Sequence, residues 1–328
     1  MLDEKITLEG LFTTVLHSRI VDGEYVFQTQ DDGDFLAKSP MDMFEEFLIP
    51  NDLVAVKEAV ENYITNKIID ESDLFYLNEA HHSWQHHSRF SAVTKEEAVA
   101  KINESTNTAH QYLKEAGFII ITFGSAWVYE LTAKAANAKV DTVAANNHKA
   151  PADWFNRRLL SNPEVSSLLE SAVSQLQQFN PAIKIIFTIS PVRHLREGFI
   201  ENNRSKAALI NAVHSATEHF NNVFYFPAYE LVIDDLRDYR FFAEDMVHPN
   251  YAATNYVWEK FVAGCIDEPA QQLMSGINEL NAAIHHRPFN EHSAAHQLFK
   301  TKYLNMATAM QRKYPFLDLE KEISFFTP

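Results

Sequence analysis

The apolar positions of this chain change period several times, and each change predicts an element. Residues 11–16 and 25–30 alternate as strands do, and Asp22-Gly23 between them predicts a turn. Over 41–66 the apolar residues fall at helical spacing, interrupted by Ile49-Pro50-Asn51. Two helices are expected there, the second capped by Asn51 or Asp52. A helix over 95–116 then leads into Phe118-Ile-Ile-Ile-Thr-Phe123, a β-branched run that reads as a strand buried on both faces. Trp154-Phe155 are expected to open a further helix that runs to 178. Second and third buried strands follow at 183–189 and 223–226, with a helix over 205–220 between them. Strand, helix, strand, helix, strand implies right-handed crossovers and one parallel sheet. Beyond Cys265 the period is helical to about 314, broken at His285-His-Arg-Pro288-Phe289. The expected organisation is an α/β domain over 1–264 and a helical extension over 265–328. The extension either packs on the domain or mediates assembly into a homo-oligomer.

Composition narrows the partners. With 46% hydrophobic residues the chain can bury a large core. A formal net charge of -16 argues against nucleic acid or an anionic membrane, which are bound by an excess of Lys and Arg. One cysteine, Cys265, excludes an internal disulfide framework and a cysteine-based zinc site, so a reducing, cytoplasmic setting is expected. No leader or spanning segment is visible in the hydropathy pattern. None of the glycines falls in a dinucleotide or phosphate-loop pattern, and no cofactor is expected.

The chemistry gathers after the predicted strands, at the edge where open α/β sheets form their sites. Asp245 and His248 lie three apart on a predicted turn, with Pro249 expected at the first position of the next helix. At that spacing the carboxylate can accept from one ring nitrogen and leave the other free to take a proton. The plainer alternative is a surface loop in which Asp245 caps the helix. Gly124 follows the first buried strand and lets a backbone N–H approach a ligand, unless it is a simple turn glycine. Ser125 beside it is a nucleophile by type alone. Asn146, Asn147, His148 and Lys149 make a polar loop, and Arg193 and His194 end the second strand's loop. The densest histidine run, 81–87, offers His82 and His86 to one helix face. The Trp and Phe around these histidines favour a loop packed under a site over a metal centre.

Several blocks together resemble the GSCFA-domain family. They are Phe123-Gly-Ser-Ala-Trp-Val-Tyr129, Asn146-Asn-His-Lys149 and Ser190-Pro-Val-Arg-His194, then Tyr225-Phe-Pro-Ala-Tyr-Glu230, Arg237-Asp-Tyr-Arg240 and Asp245-Met-Val-His-Pro249. The resemblance spans about 75–296. That family is grouped with the SGNH/GDSL hydrolases, which implies a flavodoxin-like three-layer α/β/α fold with a parallel sheet. It also implies an ester hydrolase or acyl transferase in which a serine attacks with help from an Asp-x-x-His pair. Asp245 and His248 match that pair. The resemblance places Gly124 and Asn146 at the oxyanion, although the glycine usual before the asparagine is not present. Around them His148, Arg193 and His194 would line the pocket. The substrate implied is a small acylated molecule, an acylated carbohydrate being one candidate.

The chain departs from the family at its N-terminus, where the Gly-Ser-Cys-Phe-Ala block that carries the nucleophile has no counterpart. The nearest positional substitute is Ser18 in Leu16-His17-Ser18-Arg19-Ile20, followed by a predicted hairpin where the hydrolases continue into a helix. Either the chain lacks its first strand, or this segment has been rebuilt and the serine lost. A hydrolase-shaped binding or scaffold protein is therefore the alternative function. A metalloenzyme built on the 81–87 histidines is a third.

Overall fold

A computed structural model of the chain describes Lys5 and residues 52–327. The strands expected over 11–30, the helix expected before Pro50, and Ser18 lie outside the described residues. Helix α1 (Leu53–Thr65) begins where the Asp52 carboxylate accepts the Ala55 N–H at 2.9 Å, one of the two expected caps. Strands β1 (Phe75–Leu77) and β2 (Ala80–His82) pair antiparallel through Asn78 and Glu79, both at positive φ. Two left-handed residues in succession give the tight turn whose twist matches a hairpin. Of the two placements open to the histidine run, a shared helix face or a packed loop, the helical one is thereby excluded. His82 is on β2 and His86 in the bend after it, so they share no helix face.

Helix α2 (Lys95–Glu115), capped by Thr94, leads to β3 (Phe118–Phe123). Strands β4 (Trp127–Leu131) and β5 (Phe155–Leu159) follow as a second antiparallel pair. A helix opening at Trp154-Phe155 is not what forms: Ala152–Trp154 is a single tight turn, and Phe155 starts β5. The reason is tertiary. Phe155 stands edge-on to Trp84 and Tyr129, with ring centres 5.7 and 5.9 Å away, and Arg158 reaches Glu130 at 2.7 Å. Packing partners of this kind override local spacing. The helix begins instead as α3 (Asn162–Phe179), where Ser161 donates its N–H and hydroxyl to Glu164.

Strand β6 (Lys184–Ile189), helix α4 (Phe199–His219) and strand β7 (Val223–Phe226) complete the expected alternation. Among the described residues the parallel sheet has the order β3-β6-β7, with Phe123 opposite Ile189 and Thr188 opposite Phe226. Alternate residues separate cleanly. Ile121, Phe123, Ile185, Phe187, Ile189 and Val223 pack with Val56 of α1, Leu169 of α3 and Leu209 and Val213 of α4. Phe118, Ile186 and Phe226 pack on the other face with Val257 and Phe261 of α5 (Tyr251–Cys265). Helices thus cover both faces of a parallel sheet, an α/β arrangement compatible with three α/β/α layers. Helices α6 (Glu268–Ile284), α7 (Ala294–Lys313) and α8 (Glu320–Phe326) form a further cluster around Leu273, Leu280, Ala307 and Phe326. The break between α6 and α7 falls where the His285 to Phe289 segment interrupts the period. Among the described residues no helix is long and apolar enough to cross a membrane.

Phe187 is buried in the middle of the central strand, its ring centre 5.2 Å from that of Phe123. Phe187→Ala is expected to lower unfolding free energy by about 3–5 kcal/mol, read from urea midpoints at constant slope. A loss under about 1 kcal/mol would place that ring outside a packed core.

Candidate active site

Because the three strands run the same way, Gly124, Ser190 and Pro227, which follow them, mark one edge of the sheet. The Asp245 turn comes after this last strand, between Phe242 and α5. Phe242 and Pro249 bridge antiparallel, and the Ala243 N–H donates to the His248 carbonyl at 2.7 Å, closing a compact loop. Met246 at its tip takes φ 58°. The helix cap is Asn250, whose side-chain oxygen accepts the Ala253 N–H at 3.2 Å. Pro249 therefore precedes the cap, two positions before the first helical residue, Tyr251, where it was expected. It sits within the backbone bridge that closes the loop instead of opening the helix.

Asp245 caps its own turn. One carboxylate oxygen accepts the N–H of Val247 at 2.8 Å and of His248 at 3.0 Å. The other accepts from His248 Nδ1 at 2.6 Å. With the proton on Nδ1, Nε2 carries the lone pair. The pair is exposed to solvent, His248 61% and Asp245 49% by side chain. The His248 N–H first, then its ring, then the Val247 N–H, hold the Asp245 carboxyl down to about 2, from an ordinary 3.8. Its contribution to stability is therefore present above the ordinary value and fades as pH falls through about 2. At neutral pH the carboxylate remains charged beside the ring.

The loop after β6 reaches this turn. The Arg193 N–H donates to the Val247 carbonyl at 3.3 Å, and its guanidinium donates to the Met246 carbonyl at 3.2 Å. The same guanidinium lies 4.2 Å from the Phe242 ring centre and 5.0 Å from that of Tyr239. His194 follows, its pKa lowered to about 4, by burial first and then by the charges of Lys206 and His248. It is neutral at pH 7.

Sequence reasoning missed the group beneath these loops. Asn202, Ser205 and Lys206 lie on one face of α4, each almost fully buried. Asn202 accepts the His194 N–H at 2.9 Å, and Ser205 Oγ accepts the Ala126 N–H at 2.7 Å. Lys206 Nζ donates to the carbonyls of Gly124 and Ser190, at 2.5 and 2.6 Å. Burial pulls the Lys206 ammonium down to about 7. The signal available was only the i, i+3, i+4 spacing of polar residues, which on most helices marks a solvated face. Ser125 is buried too, its hydroxyl accepting the Trp127 N–H and lying 3.3 Å from that of Ser205.

The polar loop at 146–149 packs elsewhere, on the histidine segment. Asn146 accepts the His148 N–H at 2.8 Å, and the His148 ring meets the Ser83 carbonyl through Nε2 at 2.8 Å. Ring centres of His82, Phe75 and Trp84 lie 4.6, 5.7 and 6.1 Å from that of His148. Burial first lowers the His148 pKa to about 4. The structure thus brings Arg193 and His194 to Asp245 and His248, and joins Gly124 to them through Lys206. Asn146 and His148 belong to the aromatic cluster above β1 and β2. Among the described residues no group of three or more His, Cys, Asp or Glu is arranged to hold a metal ion.

Compared with known proteins, residues 24–261 match the model of the GSCFA family, and residues 277–327 match that of the GSCFA domain protein C-terminal domain. No curated protein and no solved structure matches the chain.

The Asp245 carboxyl is expected to stay ionised down to about pH 3 in the folded protein, read by carbon-detected NMR of its side chain. His248→Gln removes the ring bond and keeps both backbone donors, so it should move the midpoint only part of the way back toward 3.8. Wild-type titration at 3.8 would show that the turn does not form in solution.

Proposed function

The chain belongs to the GSCFA family, and on that premise we propose an ester hydrolase or acyl transferase of the SGNH/GDSL type, acting on a small acylated substrate. The single observation that carries this reading is the 2.6 Å bond between Asp245 and His248 Nδ1, which leaves Nε2 as the remaining ring nitrogen of an exposed side chain. Helices on both faces of the parallel sheet agree with that fold.

In this mechanism Nε2 of His248 takes the proton of a serine hydroxyl as its oxygen attacks the acyl carbon. The imidazolium then returns that proton to the departing alcohol. Asp245 fixes the tautomer and stabilises the imidazolium without taking a proton itself. Ser18 is the positional candidate for the nucleophile. Backbone N–H groups near Gly124 would hold the oxyanion, each donor contributing about 3 kcal/mol. His194, neutral and beside the pair, offers a ring nitrogen to a substrate hydroxyl, which suits an acylated carbohydrate. Arg193 would border the pocket. No cofactor enters these steps.

We place the boundary between the catalytic domain and the helical extension at 264/265; the separate cluster of α6, α7 and α8 supports it. Exposed Leu298, Phe316 and Phe325 on that extension support self-association through it. The lone Cys265, buried and unpaired, supports a reducing cytoplasmic setting. One sequence observation favours the second reading, a hydrolase-shaped binding or scaffold protein: no Gly-Ser-Cys-Phe-Ala block is present.

Purified wild type and His248→Ala, assayed on p-nitrophenyl acetate and on acetylated sugars, separate the two. The hydrolase reading expects kcat/KM to fall about 10²–10⁴-fold in the variant. Equal, background-level turnover in both would remove it and leave the scaffold.

A further inference from the structure

Lys206 is the most deeply buried cation of the described residues, 1% exposed, and no carboxylate among those residues lies within ion-pair distance of it. An ammonium is not placed in such surroundings by the hydrophobic effect, since it loses its hydration there. What it gains is a pair of carbonyl acceptors, Gly124 at 2.5 Å and Ser190 at 2.6 Å. These two residues come directly after β3 and β6, where the ladder of neighbouring strands stops.

From Ser190 a continuous path leads to the histidine. Ser190 Oγ accepts the Val192 N–H at 3.2 Å, which shapes the turn into Arg193. Arg193 then holds the carbonyls of Val247 and Met246. The next bonds are the two backbone N–H groups and the ring nitrogen bound by Asp245. On the other side, fixing the Gly124 carbonyl fixes the Ser125 N–H, because a trans peptide points the two in opposite directions. Ser205 and Asn202 brace the same two loops from the same helix face, through Ala126 and His194.

We propose that Lys206 is a positioning residue: by tying the Gly124 turn to the Ser190–His194 loop it sets the placement of His248 relative to the oxyanion side of the cleft. It does not touch the reacting atoms; it acts through Ser190, Arg193 and the Asp245 turn. This rests on the hydrolase reading for its catalytic consequence, but the mechanical linkage can be tested without it. A displacement of about 1 Å at a reacting group is enough to cost rate without changing affinity.

Lys206→Met, similar in length but without donors, is expected to lower kcat on p-nitrophenyl acetate about 10-fold with KM within about twofold. Lys206→Arg, which keeps charge and donors, recovers most of the loss. Arg193→Gln cuts the same path further along, so the double variant should be no more than about twofold slower than the slower single variant. Rates are referred to folded protein measured by melting, and Lys206→Gln replaces the methionine variant if that fails to fold. Wild-type kcat in Lys206→Met, or losses that multiply in the double variant, overturn the proposal. If wild type turns over no faster than His248→Ala, the hydrolase reading has failed, and amide exchange decides. Lys206→Met should then speed exchange at Arg193, Val247 and His248 about 10-fold while leaving Phe187 unchanged. Unaltered exchange at those three amides overturns the linkage itself.

Discussion

A parallel sheet leaves carbonyl groups at its carboxyl edge with no further strand to accept from, and a buried carbonyl left unpaired costs about 1–3 kcal/mol. In this chain the edge lies against α4, and the donor that meets it is a lysine rather than water or a backbone amide. Lys206 satisfies Gly124 and Ser190 together, and Ser205 and Asn202 do the same work for the N–H groups of Ala126 and His194. The loops that leave β3 and β6 are therefore fastened to one rigid helix. Everything that gives the edge its chemistry hangs from those loops.

A second set of polar contacts frames the same edge from outside. Arg157 on β5 pairs with Glu197, and Arg196 donates to the Tyr129 hydroxyl on β4 at 3.2 Å. These bonds join the β4–β5 hairpin to the turn that follows His194. Arg193 is used in the same manner, its guanidinium spent on two aromatic faces and a carbonyl. In an acidic chain, several of the cations at this edge thus serve as structural donors. Asp245 and His248, by contrast, are an exposed polar pair of the last loop.

The parts that were legible along the chain are those whose partners are near in sequence. Asp245, Val247 and His248 satisfy one another within a single turn, so spacing alone could indicate a carboxylate-held imidazole. The strands 118–123, 183–189 and 223–226 were legible because a strand covered on both faces must be apolar at nearly every position. The histidine run was compatible with a helix or a packed loop, because His82 and His86 fit the helical period; Asn78 and Glu79 fold the chain back before a helix can begin. Phe155 likewise had helical neighbours in sequence but aromatic neighbours in space, and the latter decided its conformation.

What the sequence determined by itself was the alternation of elements, the parallel sheet and the Asp245–His248 pair, since each depends on periodicity or on contacts a few residues long. Tertiary structure alone decided that Lys206 faces inward, that Arg193 holds the histidine's turn, and that His148 joins the aromatic cluster of Phe75 and Trp84. A lysine on a helix has the same local pattern whether it meets solvent or two strand-end carbonyls. Only the crossover that lays α4 against the sheet, bringing residue 206 to residue 124, makes the choice.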